Sequence, residues 1–180
     1  MIRSIILFAF ILLGMASCVV GEDEYASASD FGNVVEIGDS LPRFSVTLSN
    51  GSTLSNESLK GRVAVLTFFN TACGDCRREL PLIQEAYSVY ADRVSFACIS
   101  RAEKEASVAS YWQLHGLSMP FSGQADETVY HAFAKHTIPR IYVVDQAGVI
   151  RYQFVEQMQF NELQELSLIH ISEPTRPEPI

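Results

Sequence analysis

Two cysteines separated by two residues, Cys73 and Cys76, have the spacing in this chain that most directly indicates chemistry. They follow the apolar run 63–69 and precede a segment in which apolar residues recur at helical spacing. A cysteine in the first turn of a helix lies beside backbone N–H groups without intrahelical partners and beside the positive end of the helix dipole. Both favour the thiolate, which is the reactive form. We therefore predict that Cys73 is a nucleophile in thiol–disulfide chemistry.

The second cysteine predicts how such a nucleophile would be released. Cys76 lies three residues after Cys73 and therefore on the same helix face. It can close a disulfide with Cys73 and expel whatever Cys73 has captured. A static structural disulfide is the alternative interpretation of the pair.

A zinc site is the other alternative for this spacing, and it requires two further ligands. The remaining cysteines, Cys18 and Cys98, are far apart and have no such spacing, and no pair of histidines lies near either. We therefore predict no metal site. Cys98 lies in an apolar segment, where a cysteine is typical of a small core residue.

The first 17 residues have the features of an export signal. Arg3 supplies a positive charge, and the apolar run 5–13 is short for a membrane span. Small residues then lead to Cys18, a pattern that resembles a bacterial lipoprotein signal and predicts a lipid on the Cys18 sulfur after cleavage. An ordinary secretory signal is the alternative. Both predict a location in the bacterial cell envelope, facing the periplasm or the exterior, where disulfides persist.

The rest of the chain divides by composition. Residues 18–33 are polar and acidic and predict a flexible tether. Residues 34–166 are long enough for one domain with a core. Residues 167–180 lose the helical pattern and contain three prolines, so we exclude them as a non-native or disordered tail. The net charge of −8, without a cluster of Lys or Arg, argues against a nucleic-acid partner.

The pattern within the domain predicts a mixed sheet between helices. Alternation at 44–48, the turn Asn50–Gly51 and the return at 53–54 predict an N-terminal β-hairpin. Continuous apolar runs predict further buried strands, and periodic segments predict helices. The predicted strands are 63–69, 94–99, 141–144 and 149–155. Four helices are predicted, of which the first follows the cysteine pair, the second spans 102–115, the third spans 126–136 and the last begins at Asn161.

Four motifs in this order resemble the thioredoxin superfamily, in particular its membrane-tethered TlpA/ResA-like branch with a redoxin domain. The motifs are Ile37–Phe44, Leu59–Val63, Cys73–Pro81 and Thr137–Gly148. The resemblance implies an α/β thioredoxin-like fold with an N-terminal hairpin extension. It also implies a thiol–disulfide oxidoreductase that needs no cofactor beyond its redox-active disulfide. Client proteins with disulfides or thiols, and an upstream membrane or periplasmic redox partner, are the implied partners.

The resemblance also implies roles for residues outside the cysteine pair. Pro139 is expected to be cis, which would place Ile138 and Pro139 beside the disulfide as a substrate-binding edge. A trans proline that opens a strand is the alternative. Glu79, three residues after Cys76, is expected either to influence thiol ionisation or proton transfer, or to be a solvated helix residue.

The chain departs from this family at two places. Ala72 stands where Trp usually precedes the first cysteine, and Gly74–Asp75 stand where Gly-Pro is commonest. A carboxylate at Asp75 is expected to oppose thiolate formation if it lies near sulfur. The missing Trp keeps a binding module without turnover as an alternative. A peroxidase of the peroxiredoxin type is a second alternative, for which Thr71 is present but the Pro expected ahead of the cysteine is missing and the close second cysteine fits poorly.

Overall fold

The structure is a computed structural model that describes residues 31–157. The predicted signal segment with Cys18, the predicted helix from Asn161 and the tail 167–180 lie outside the described residues. The elements in chain order are β1 (Ser45–Thr47), β2 (Thr53–Ser55), β3 (Val63–Phe69), α1 (Gly74–Tyr90), β4 (Val94–Ser100), α2 (Glu105–His115), β5 (Phe121–Ser122), α3 (Thr128–His131), β6 (Arg140–Val144) and β7 (Ile150–Val155). Within 31–157, no helix has the length and apolar character needed to cross a bilayer.

A five-stranded mixed sheet forms the centre of the domain, in the order β5-β4-β3-β6-β7. β3 pairs parallel with β4 and antiparallel with β6, and β6 pairs antiparallel with β7. β1 and β2 form a separate antiparallel hairpin, with Val46 opposite Leu54. The predicted mixed sheet and the predicted N-terminal hairpin are both confirmed.

Strand β3 carries the two apolar cores of the domain because all seven of its residues are buried and successive side chains point to opposite faces. Val63, Val65 and Phe69 lie in the core that includes residues of α1 and α2. Ala64, Leu66 and Phe68 lie in the core on the other face, with residues of the hairpin and α3. The cysteine turn therefore follows a strand that is fixed from both sides.

Helix α1 is oriented by an apolar stripe that packs on the first of these cores. Leu80, Ile83 and Ala86 recur at helical spacing and are at most 1% exposed. Removing a buried Leu or Ile side chain of this kind costs about 2–5 kcal/mol. The helix start, which carries both thiols, is thus held against the end of β3.

Two predicted helices are shorter than expected. α2 begins at Glu105 rather than at 102, because Ala102 has a positive φ of 54° and Lys104 is extended. The helix predicted over 126–136 is wrong in length, since α3 spans only Thr128–His131. After it, Ala134 forms an antiparallel bridge with Asn33, so a tertiary contact replaces the helix.

Residues 31–33, the end of the predicted tether, lie against the domain. The backbone N–H of Lys135 donates to the Gly32 carbonyl at 2.8 Å, and the N–H of Val34 donates to the Phe133 carbonyl at 3.0 Å. Gly32 has a φ of +69°, and a Cβ at this position would come within 2.6 Å of the His136 ring. The ordered domain therefore includes at least three residues that the composition assigns to the tether.

Candidate active site

The two cysteines lie at the start of α1, and both have free thiols in the structure. Cys73 is the N-cap residue, with extended backbone (φ −77°, ψ 125°), and its sulfur accepts a hydrogen bond from the Cys76 backbone N–H at 3.4 Å. Donation from a helix N-terminal N–H group stabilises negative charge on the acceptor. The predicted position of Cys73 at the helix start is confirmed, while its role as nucleophile stays a prediction.

The two cysteines differ in their access to solvent. Cys73 is partly exposed, whereas Cys76 is 0% exposed. Burial, followed by the hydrogen bond with the Cys73 side chain, raises the pKa of the Cys76 thiol well above its ordinary value. Cys76 therefore stays a neutral thiol near neutral pH while the pair is reduced, and Cys73 is the sulfur that an incoming molecule can reach.

The loop before β6 lies directly against the exposed thiol. The Ile138–Pro139 peptide bond is cis, as the resemblance implies. The Cys73 thiol donates to the Ile138 carbonyl oxygen across 3.7 Å. The structure thus brings together Cys73, Cys76 and Ile138, three of the predicted site residues, with buried Pro139 beside them.

A carboxylate from the β4–α2 loop holds the turn that precedes Cys73. Glu103 accepts from the Thr71 backbone N–H at 2.7 Å and, through its other oxygen, from the Thr71 hydroxyl. The Asn70 side chain accepts from the Ala72 N–H at 2.8 Å and donates to the Arg101 carbonyl at 3.3 Å. No local pattern around position 103 indicates this contact, and sequence reasoning missed it.

The charged residues of the first helical turn form their own contacts. Asp75 forms a salt bridge with Arg78, three residues later. The Arg77 guanidinium donates to the Thr71 carbonyl at 2.7 Å and so closes the turn onto the helix. The Asp75 carboxylate contributes to the raised pKa of Cys76, but less than burial and the Cys73 contact do. Its expected opposition to thiolate formation at the attacking sulfur stays a prediction.

Glu79 lies on α1, one turn beyond Cys76, and is only 6% exposed. The alternative that it is a solvated helix residue is therefore wrong, because α1 buries this face against the core. Its influence on the thiols stays a prediction. Sequence reasoning also assigned no role to Arg140, which follows Pro139 and is 0% exposed. A charged residue beside the apolar run 141–144 was the available signal.

The described residues offer no second reactive centre. Within 31–157, no group of three or more His, Cys, Asp or Glu residues is arranged to hold a metal ion. Cys98 is 1% exposed in β4, and burial raises the pKa of its thiol. This position matches the prediction of a small core residue.

Most of the chain is similar in sequence to known proteins. Residues 36–166 match the sequence profile of the Redoxin family. The chain is 24% identical over 160 residues to the thiol-disulfide oxidoreductase ResA of Bacillus anthracis, covering 88% of this chain and 92% of that protein. It is 28% identical over 161 residues to the thioredoxin-like protein YneN of Bacillus subtilis, covering 87% and 94%.

A solved structure is similar in fold. The solution structure of a putative protein disulfide isomerase from Bacteroides thetaiotaomicron has a TM-score of 0.70 and 24% identity to this chain. The match covers 76% of this chain and 93% of that one. This likeness confirms the predicted thioredoxin-like α/β fold.

Proposed function

Because this chain belongs to the Redoxin family, we propose that it is a lipid-anchored thiol–disulfide oxidoreductase that reduces disulfides in client proteins outside the cytoplasm. The names of its relatives, a thiol-disulfide oxidoreductase and a thioredoxin-like protein, support the reaction class. The pair Cys73 and Cys76 carries the reaction, and no organic cofactor takes part in it.

The observation that carries this proposal is the asymmetry of the two thiols. Cys73 is partly exposed, and its sulfur accepts the Cys76 N–H and faces the Ile138 carbonyl. The Cys76 thiol is buried behind it with a raised pKa. One accessible sulfur with a protected second thiol three residues away is the arrangement that stepwise disulfide exchange requires.

The exchange proceeds in two displacements. The Cys73 thiolate attacks one sulfur of a client disulfide, forms a mixed disulfide, and releases the other client sulfur as a thiolate. Cys76 then loses its proton and attacks the Cys73 sulfur, which forms the Cys73–Cys76 disulfide and releases the second client thiolate. Two electrons pass to the client, whose thiolates take up two protons. An upstream dithiol partner in the membrane or periplasm then reduces the pair again.

The cis-proline loop provides the client-binding edge in this proposal. The Ile138 carbonyl lies next to the Cys73 sulfur, so an extended client segment can pair with loop backbone groups while its disulfide meets the thiolate. Pairing with the client segment and alignment of its disulfide with the thiolate both depend on the position of the Ile138 carbonyl. Glu79, buried one turn beyond Cys76, influences the ionisation of the thiols or proton transfer between them.

The export segment supports the cellular part of the proposal. The apolar run 5–13 and the small residues before Cys18 lead to a lipid on the Cys18 sulfur, which would anchor the chain to a membrane. Cys18→Ser should yield protein that does not partition with membranes when expressed in bacteria, whereas the native chain should. Identical mass and fractionation of the two would contradict lipid anchoring.

Trapping tests the reaction itself. Cys76→Ser keeps the attacking thiol and loses the resolving one, so it should accumulate mixed disulfides with client proteins that reductant releases. Cys73→Ser is the matched control and should trap few. Insulin disulfide reduction should be catalysed by the native chain and by neither variant. Consumption of peroxide without insulin reduction would favour the peroxidase alternative, and neither activity would favour a binding module.

A further inference from the structure

Arg140 is a cation that lies buried at the start of β6. It is 0% exposed and directly follows Pro139. In the part of the chain from 31 to 157, no carboxylate forms a salt bridge with it. An arginine buried without a carboxylate is unfavourable unless its donors are satisfied by other groups. The partners of its guanidinium should therefore indicate what it does.

These partners belong to two separate segments of the chain. Nε donates to the Thr137 carbonyl at 3.0 Å, and Nη2 donates to the His136 carbonyl at 3.0 Å. Nη1 donates to the Asn33 side-chain oxygen, and Nη2 also donates to the Phe31 carbonyl. The guanidinium thus joins the loop before the cis proline to the segment where the chain enters the domain.

The loop that it holds contains a strained residue. Thr137 has a φ of +75°, a region that β-branched residues rarely occupy. Such a conformation persists only where the surroundings hold it. The Thr137 carbonyl accepts both from Arg140 and from the Tyr130 hydroxyl, the latter at 2.8 Å. The next residue, Ile138, places its carbonyl 3.7 Å from the Cys73 sulfur.

We propose that Arg140 is a positioning residue for disulfide exchange, which holds the Ile138 carbonyl against Cys73 by fixing the strained loop to residues 31–33. The inference rests on the proposed function and adds a residue that aligns the site for it. Arg140 contacts neither sulfur, so it acts only through the loop. The segment 31–33 thus acts on the site through the Arg140 guanidinium, to which Phe31 and Asn33 supply acceptors.

Two substitutions of the arginine separate positioning from stability. Arg140→Met removes every donor but retains an unbranched side chain, whereas Arg140→Lys retains the charge and can satisfy part of the acceptor set. KM and kcat for insulin reduction are measured well below the unfolding midpoint of each variant. Arg140→Met should raise KM about tenfold with a smaller change in kcat, since a displaced loop misaligns the bound disulfide. Arg140→Lys should recover most of this loss.

A second readout needs no client. The rate constant for alkylation of Cys73 by iodoacetamide should rise about threefold in Arg140→Met. The Ile138 carbonyl accepts from the neutral thiol and stabilises it, so displacement of this carbonyl favours the reactive thiolate. Wild-type protein without insulin reductase activity would contradict the proposed function, while the alkylation rates would still decide the role of Arg140.

A glycine pair provides a test that leaves the arginine in place. In Gly32→Ala the new Cβ must displace either the segment 31–33 or the His136 ring, which contacts the Thr137 hydroxyl at 2.9 Å. Gly38 also has a positive φ, of 99°, but no atom lies within 4 Å of its added Cβ. Gly32→Ala should therefore raise KM several-fold more than Gly38→Ala does.

Two results would overturn the inference. One is folded Arg140→Met protein whose KM and alkylation rate stay within about twofold of the wild-type values, a change too small for a displaced reacting group. If Arg140→Met does not fold, the glycine pair decides, and equal KM values for Gly32→Ala and Gly38→Ala would then refute positioning through this segment.

Discussion

The backbone N–H of Cys76 donates to the sulfur of Cys73 across 3.4 Å, while the thiol of Cys76 is itself closed to solvent. One residue therefore contributes to the site twice, first as a donor to the attacking sulfur and then as the resolving thiol. Because the pKa of the Cys76 thiol is raised chiefly by burial, this thiol is unreactive near neutral pH while its backbone N–H still donates to Cys73, so the reactivities of the two sulfurs are separated in pH.

The order of alkylation tests this separation. Iodoacetamide should label Cys73 before Cys76 in the reduced protein near neutral pH, because only Cys73 is accessible and the neutral Cys76 thiol is unreactive. Labelling of Cys76 should increase only as the pH rises toward its raised pKa, where the thiolate begins to form. Mass spectrometry of peptides from a timed reaction measures both rates. Faster labelling of Cys76 at neutral pH would contradict the assignment.

Removal of the Asp75 carboxylate should speed the second displacement. The carboxylate raises the pKa of Cys76, so Asp75→Asn should lower that pKa and make the resolving thiolate more available. Because Asp75 is partly exposed and paired with Arg78, the gain should be at most about threefold and should shrink at high salt.

The decay of a mixed disulfide between Cys73 and a small aromatic thiol measures this rate. Asp92→Asn is the matched control, since Asp92 is an exposed carboxylate at the far end of α1. Equal acceleration in both variants would mean that overall charge, rather than the position of Asp75, is responsible.

Glu103 should stabilise the turn before Cys73. Glu103→Ala leaves the Thr71 backbone N–H and hydroxyl without their acceptor, so the free energy of unfolding should fall by about 1–3 kcal/mol. Insulin reduction should fall as well, because the turn sets the position of Cys73. Glu103→Gln retains one carbonyl acceptor and should lose less of both. Denaturant unfolding and initial rates provide the two measurements.

Glu105 provides the control for this substitution. Its carboxylate accepts from the Gly123 N–H at 2.7 Å and so joins α2 to the residue after β5 rather than to the turn before Cys73. Glu105→Ala should therefore lose stability without a matching loss of turnover. A loss of turnover in proportion to stability in both variants would mean that Glu103 has a structural role only.

Cys98 should take no part in turnover. Its thiol is buried in β4 with a raised pKa, so it should resist iodoacetamide until the protein unfolds. Cys98→Ala removes one buried sulfur and should cost about 1 kcal/mol of stability, with insulin reduction unchanged at temperatures where the variant is folded. A disulfide that includes Cys98 in the oxidised protein would contradict this prediction.

Local pattern was sufficient for the elements that present the thiols. The apolar run of β3 and the periodic stripe from Leu80 to Ala86 depend on burial, which a continuous apolar run and helical spacing reveal directly. The cysteine pair was indicated by its own spacing at the start of a predicted helix, and the proline at 139 was recognisable through the resemblance. The contacts that the sequence pattern did not predict are long-range. Glu103 and Arg140 act on partners about 30 and 100 residues away, and no local periodicity encodes such contacts.

The same limitation explains the shortened helix α3. The periodicity over 126–136 is genuine, but the bridge between Ala134 and Asn33 offers the backbone a competing partner. Tertiary contacts of this kind override local propensity.

The pairing of β3 has a consequence for the order in which the chain can fold. Val63 pairs with Val94, but Ala64 also pairs with Val144, eighty residues later. During synthesis, one edge of the central strand therefore has no partner until β6 emerges, and contacts of such sequence separation make folding slow. A nascent chain that ends before Arg140 should thus remain protease-sensitive and prone to associate through this open edge, and it should acquire resistance in one step when β6 is added.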